Sequence, residues 1–96
     1  MPLKIIWTKL ALQDIHHVRD YIAADRPEAA DDMMERLAQA VDHLLDYPNL
    51  GRPGRIKGTR ELVIVGSPYL VAYRVKKKQI EILAVLHGAR RWPGDF

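Results

Sequence analysis

The order of apolar and polar residues predicts a strand and then a helix at the start of the chain. Leu3–Trp7 is a short apolar run typical of a strand. Thr8 follows it and suits a helix N-cap, because its hydroxyl accepts a hydrogen bond from a free backbone N–H of the first turn. The apolar positions then recur at steps of four, three and four, which is the spacing of one helix face: Ala11, Ile15, Val18 and Ile22.

A second helix is predicted from Pro27 to about Tyr47. Pro27 suits the first turn of a helix, and Arg26 before it is pushed out of helical geometry. Pro48 stops the helix. Its apolar stripe is Ala30, Met33, Met34, Leu37, Val41, Leu44 and Leu45. The corner between the helices is short, so they are expected to pack as an antiparallel hairpin.

The second half of the chain has the pattern of strands. Asn49–Gly58 is rich in glycine and predicts an irregular connection or a short edge strand. Three strands are expected at Glu61–Val65, Tyr69–Lys76 and Ile80–His87, followed by the tail 88–96. Strict alternation in the last strand predicts two faces. One face carries Ile80, Ile82, Ala84 and Leu86, and the other carries Glu81, Leu83, Val85 and His87.

These elements predict an α+β fold with the order β-α-α-β-β-β. Short connections between consecutive strands favour antiparallel pairing. The expected architecture is a helical hairpin that covers one face of an antiparallel sheet. A chain of 96 residues fits a single domain spanning 1–96.

The charge of the chain is unevenly divided, and this indicates an anionic partner or an acidic protein surface. Residues 1–48 carry five basic and nine acidic side chains, whereas residues 49–96 carry ten basic and three acidic ones. The chain has no cysteine, which excludes disulfides and thiolate chemistry and fits a reducing cytoplasm. Neither a membrane span nor a signal peptide is expected from the apolar runs.

No metal or cofactor is expected from the motifs. His16 and His17 are neighbours on the first predicted helix, so they point about 100° apart and cannot chelate one ion. His43 has Tyr47, a poor partner for a metal site, four residues on. A glycine-rich phosphate loop and a nucleophile elbow are both missing.

Six stretches, in this order and spacing, resemble the RelE/ParE superfamily of bacterial toxins, and the last is most similar to the ParE branch. They are Thr8 opening a helix into Asp20-Tyr21-Ile22-Ala23, Pro27-Glu28-Ala29-Ala30, Tyr47-Pro48-x-Leu50-Gly51-Arg52-x-Gly54, Thr59-Arg60-Glu61-Leu62, Tyr69-x-Val71-x-Tyr73-Arg74-Val75, and Ile80-Glu81-Ile82-Leu83-x-Val85-Leu86-His87-Gly88-Ala89-Arg90. The resemblance covers nearly the whole chain.

The resemblance implies a toxin that a cognate antitoxin neutralises by wrapping a largely disordered segment around it. An apolar groove on the sheet and helices is expected to receive that segment. The ParE branch poisons DNA gyrase, whereas the RelE branch cleaves messenger RNA on the ribosome. A third hypothesis is a non-enzymatic module that binds nucleic acid, since clustered cations suffice for phosphate contacts.

Metal-free RNA cleavage requires cations around the developing phosphorane and a group that transfers protons. RelE-like nucleases place basic residues on the middle strands, where this chain aligns Glu61, Val63 and Leu70. If the protein is nonetheless a nuclease, the candidate catalytic residues are His87, Arg60, Arg74 and Arg90. Two of them also have a structural interpretation, as cross-strand pairs Arg60–Glu81 and Arg74–Glu61.

The favoured interpretation is a toxin that inhibits its target by binding it. The candidate target-binding residues are the cations of the second half with the histidine and tryptophan near the C-terminus: Arg52, Arg55, Lys57, Arg60, Arg74, His87, Arg90, Arg91 and Trp92. Trp92 either anchors the partner or folds back onto the sheet.

Overall fold

The computed structural model describes residues 3–88 and 92, and it confirms an α+β fold. Its elements are β1 (Lys4–Trp7), α1 (Lys9–Ala23), α2 (Pro27–His43), β2 (Arg52–Pro53), β3 (Arg60–Val63), β4 (Tyr69–Lys76) and β5 (Gln79–His87). The two helices are followed by a meander of strands, and the five strands form one sheet in the order β1-β5-β4-β3-β2. The short edge strand expected within Asn49–Gly58 is β2.

Thr8 caps α1 as predicted and also ties the helix to the sheet. Its hydroxyl accepts a hydrogen bond from the Ala11 N–H at 3.2 Å. The same hydroxyl donates to the carbonyl oxygen of Ile82 at 2.9 Å, which is 74 residues away. One side chain therefore fixes both where α1 begins and how it lies on β5.

Replacing Thr8 with alanine is expected to lower the free energy of unfolding by about 1–2 kcal/mol, because a capping bond and a bond to the sheet are lost together. Urea denaturation of the purified protein measures this loss. Thr8→Ser keeps the hydroxyl and is expected to retain most of the stability. Equal losses in the two variants would contradict the role of the hydroxyl.

α2 begins at Pro27 as predicted but ends at His43, four residues before the predicted end. Arg26 is extended at the N-cap position (φ −141°, ψ 91°). Beyond His43 the Leu44 N–H bonds to the Val41 carbonyl, three residues back, so the chain tightens into turns before Pro48.

The sheet is mixed, so the prediction of a wholly antiparallel sheet is wrong for one pair. β2 to β5 pair antiparallel with their neighbours, but β1 pairs parallel with β5, with Ile5 opposite Ile80. The reason is connectivity: only β2 to β5 are linked by short turns, whereas β1 reaches the sheet through both helices.

A bulge in β5 breaks the strict alternation predicted for Ile80–His87. Ala72 pairs with Ala84 and Tyr73 with Ile82, so Leu83 is an extra residue without a partner on β4. At Leu83 the alternation of side chains between the two faces of the sheet is interrupted. Ile80, Ile82 and Val85 lie in the core beneath the helices, while Leu83 and Ala84 belong to a small cluster on the other face.

The main core lies between the helical hairpin and the sheet. Its fully buried side chains include Leu37 and Leu44 from the helical segment and Tyr73, Ile80 and Ile82 from the sheet. The opposite face of the sheet, called the open face here, has the small cluster of Ala72, Leu83 and Ala84, against which Leu86 and Trp92 pack.

Candidate functional site

The hydroxyl of Tyr73 on β4 fixes the position of the connection between α2 and β2. This hydroxyl donates to the Pro48 carbonyl and accepts from the Gly51 N–H, both at 2.8 Å. Burial raises the pKa of Tyr73, while the Gly51 N–H and the positive charge of Arg60 oppose that rise. The hydroxyl therefore keeps its proton and its role as donor at physiological pH.

Arg60, a candidate cation, serves the same connection. Its guanidinium donates to the Gly51 carbonyl at 2.7 Å, and the residue is half-buried beside Tyr73. The predicted pair Arg60–Glu81 is wrong, because β4 lies between β3 and β5.

Two further candidate arginines form ion pairs on the open face. Arg74 pairs with Glu81, its register partner on β5, and Arg52 pairs with Glu61, its partner on β3. The predicted pair Arg74–Glu61 is therefore wrong, since Ala72 is the β4 residue opposite Glu61. The hydrogen bond from Arg74 lowers the pKa of Glu81, and the bond from Gln79 adds to this effect.

Glu81 is expected to make stability fall in acid. Its pKa is lowered in the fold, so the stabilisation is present above the ordinary glutamate pKa of 4.5 and is lost as pH falls through the folded value. The difference in unfolding free energy between wild type and Glu81→Gln should shrink from pH 7 to pH 3 in urea titrations. Glu35→Gln, at an exposed position of α2, is the control. A difference that stays constant with pH would contradict the linkage.

The remaining candidate cations of the loop between β2 and β3 face solvent. Arg55 and Lys57 are exposed, whereas Arg52, Arg60 and Arg74 are engaged by carboxylates or carbonyls. Within residues 3–88 and 92, Arg55 and Lys57 are thus the candidates best placed for an outside partner. Arg90 and Arg91 lie outside the described residues.

His87 lies in a hollow of about 630 Å³ between α1 and the ends of β4 and β5. Its ring meets that of Tyr69 edge-on, with centroids 5.7 Å apart. Asp14, His17 and Tyr21 from α1 also line the hollow. None of the described arginines does, so Arg60 and Arg74 do not converge with His87.

Trp92 folds back onto the open face, one of the two predicted alternatives. It is half-buried and packs against the cluster of Ala72, Leu83 and Ala84. A Cβ atom added to Gly54 would lie 2.8 Å from the indole, so the loop passes directly over it. The indole of Trp92 thereby lies against the loop that carries Arg55 and Lys57.

A groove between α2 and the edge of β3 was not located by the sequence analysis. It has a volume of about 700 Å³ and is lined by Arg36, Gln39, Ala40, Asp42, His43, Leu50, Leu62, Val63, Ile64 and Val65. Leu50, Val63 and Val65 are 54%, 44% and 82% exposed. The signal in the sequence is the unbroken apolar run of residues 62–65, which leaves apolar side chains on both faces of a strand.

The edge of β3 beside this groove is open. β2 pairs with β3 only at Arg60 and Glu61. Beyond Glu61, none of the described strands pairs with the outer edge of β3. An open edge of this kind accepts an added strand. Edge and groove together form a binding surface, called the edge groove here.

None of the described residues form a group of three His, Cys, Asp or Glu side chains arranged to hold a metal ion. No helix in residues 3–88 combines the length and apolarity that crossing a bilayer requires.

A two-helix layer on a five-stranded mixed sheet is the RelE/ParE-like fold, and solved structures share it. The chromosomal ParDE toxin–antitoxin system from P. aeruginosa contains a chain with a TM-score of 0.78 and 28% identity, over 86% of this chain and 92% of that one. The RelBE2 toxin–antitoxin complex from Mycobacterium tuberculosis contains one with a TM-score of 0.61 and 24% identity, over 91% of this chain and 99% of that one, which shows the fold alone.

Residues 5–92 match the family described as ParE toxin of type II toxin-antitoxin system, parDE, and the chain belongs to this family. It is 46% identical to putative toxin Y4kP of Sinorhizobium fredii over 90 residues, which cover 94% of this chain and 93% of that protein. It is 40% identical to toxin RelE2 of Caulobacter vibrioides over 87 residues, or 91% and 97% of the two chains.

Proposed function

We propose that this protein is a toxin that inhibits DNA gyrase and is held inactive by a cognate antitoxin in the cytoplasm. Membership of the ParE family over residues 5–92 is the observation that carries the proposal. The structural match to a chain of a ParDE system supports it independently of the sequence pattern.

The mechanism we favour is inhibition by binding. Cleavage of a phosphodiester needs several cations and a proton-transferring group around one phosphate. Among the described residues, Arg74 is paired with Glu81 on the open face, Arg60 is bonded to Gly51, and His87 lies in a separate hollow. The exposed cations of the β2–β3 loop are instead arranged for contact with another macromolecule.

The experiment is a gyrase supercoiling assay with the purified toxin. Stoichiometric toxin should inhibit supercoiling and leave cleaved DNA. The double variant Arg55→Gln/Lys57→Gln should inhibit at least about 10-fold less well, since two charge contacts at an interface are removed. Lys9→Gln/Arg26→Gln removes the same charge elsewhere and is the control. Full supercoiling with no cleaved DNA would refute the proposal.

A ribosome-dependent messenger RNA endonuclease is the second candidate. The hollow favours it, because His87, Tyr69, Asp14 and His17 are all side chains that can accept or donate protons. Translating ribosomes would then show messenger cut in the A site, and His87→Ala would abolish cutting. His43→Ala, on the edge-groove side of the molecule, is the matched control. Intact messenger would eliminate this candidate.

The edge groove is the surface we assign to the antitoxin. Its occupant is an extended, apolar segment that adds as a strand to β3 and places alternate side chains against Leu50 and α2. The open edge supplies main-chain hydrogen bonds, and the groove supplies apolar contact. Such a segment would remain disordered until bound, as the family resemblance implies.

A further inference from the structure

Four lysines from two separate segments meet at one end of the sheet. Lys76 ends β4, Lys77 and Lys78 form the turn from β4 to β5, and all three are exposed. Lys4 begins β1 beside them: it is paired in register with Gln79, and its N–H bonds to the Lys78 carbonyl. We call Lys4, Lys76, Lys77 and Lys78 the lysine end.

The lysine end forms no ion pair with the described part of the protein. Each ion pair found among the described residues involves an arginine. None of the described carboxylates therefore lies within 4.0 Å of these ammonium groups. Glu81, the acidic residue closest along β5, is bonded to Arg74 and Gln79, and the charge of Lys76 attracts it without forming an ion pair. Four like charges are therefore held at one end of the sheet, an arrangement that an anionic partner would relieve.

The corner between the two helices is acidic. α1 runs along β5 in the same direction, since Thr8 bonds to Ile82, Asp14 accepts from the Val85 N–H, and Tyr21 shares the hollow of His87. The corner between the helices thus lies at the end of the sheet farthest from the lysine end. Within residues 19–32, the exposed acidic residues are Asp20, Asp25, Glu28, Asp31 and Asp32, and the basic ones are Arg26 and Arg19, which pairs with Asp31.

This polarity orients the molecule in the field of a polyanion. The nine residues of β5 run from the lysine end towards the corner, a length of about 30 Å at about 3.3 Å per residue, so the two charged ends are well separated. A negatively charged polymer attracts the lysine end and repels the acidic corner, which fixes the direction of approach.

We propose that the lysine end binds the phosphate backbone of duplex DNA. The proposal rests on the proposed function, in which the duplex is the one held by gyrase. Lys4 lies on β1 and Lys76 on β4, with β5 between these strands, and Lys77 and Lys78 form the turn from β4 to β5. From β1 to β4 the group spans about 10 Å, the length of about three base steps of one DNA strand. Lysine ammonium groups act as mobile point charges, which suit phosphates and read no base sequence.

The test measures binding of the purified full-length toxin to a fluorescent 30-base-pair duplex over a salt series. Each phosphate contact contributes about −0.9 to the slope of log K against log salt, so the wild-type slope should be about −3 or steeper. Lys77→Gln/Lys78→Gln should reduce its magnitude by about 2 and weaken binding at low salt. Lys9→Gln/Arg26→Gln removes the same charge away from the lysine end and should retain the wild-type slope.

Two results would overturn the proposal: no binding of the duplex by wild type at low salt, or the same slope for both double variants. The gyrase assay separates this inference from the proposed function. A lysine-end variant with unchanged duplex binding refutes the inference even where gyrase is inhibited. Duplex binding lost only in that variant supports the DNA surface even where gyrase supercoils normally.

Discussion

Replacing Gly51 with alanine is expected to lower the free energy of unfolding by about 1–3 kcal/mol, through overpacking at a buried point. The added Cβ would lie 2.7 Å from Cε1 of Tyr73 and 2.8 Å from the carbonyl oxygen of Glu61. One neighbour is a fully buried ring and the other is backbone, so neither moves aside cheaply. The hydrogen bond from the Gly51 N–H to the Tyr73 hydroxyl would be strained as well.

The measurement is urea denaturation, with Gly58→Ala as the matched control. Gly58 has a positive φ of 83° but has no atom within 4 Å of an added Cβ. Alanine there costs only backbone strain, about 1 kcal/mol. Gly51→Ala should be the more damaging variant and should also loosen the connection that holds Arg60. A cost no greater than that of Gly58→Ala would show that the connection relaxes around the new methyl group.

The two glycines of the stretch Gly51-Arg52-x-Gly54 show what a sequence pattern can and cannot reveal. As a motif they support the family resemblance. Their physical reason is visible only in the fold, since Gly51 lies against Tyr73 and a Cβ on Gly54 would lie 2.3 Å from Oγ1 of Thr59. Both are places where a backbone passes too close to a side chain for a Cβ atom.

The local elements were predictable because their signals are local. Thr8 caps α1, Pro27 opens α2, and the apolar stripes face the core. The parallel pairing of β1 with β5 was not predictable in this way, because it depends on a partner more than 70 residues away. The bulge at Leu83 was likewise not predictable, because the residues before and after it in β5 are apolar and the sequence pattern does not show where the alternation shifts.

The same distinction between local and long-range information holds for the candidate site. The sequence alone shows that cations are concentrated in the second half of the chain. Which of these cations are exposed depends on the order of the strands in the sheet. With β4 between β3 and β5, Arg74 lies opposite Glu81, and Arg60 turns to the Gly51 carbonyl. An apolar groove on the sheet and helices was expected, but its position was not predicted, because an apolar run such as residues 62–65 gives the same pattern in a central strand as in an edge strand.

Replacing Val63 with lysine is expected to weaken antitoxin binding by about 100-fold. Val63 lies on the open edge of β3 and lines the edge groove. A lysine there blocks strand addition and removes apolar contact at the centre of the surface assigned to the antitoxin. The free energy of binding lost is about 2.8 kcal/mol, since each tenfold change in affinity corresponds to about 1.4 kcal/mol. The fold should survive, because the side chain is 44% exposed.

Val75→Lys is the matched control, since Val75 is also a strand valine, is 40% exposed and lies outside the edge groove. Titration of each toxin variant with the cognate antitoxin measures the affinities. Growth assays give the second measurement: cells that express Val63→Lys should remain inhibited when the antitoxin is co-expressed, whereas Val75→Lys should be rescued like wild type. Equal affinity and equal rescue of the two variants would mean that the antitoxin uses another surface, and the open edge of β3 would then need a different occupant.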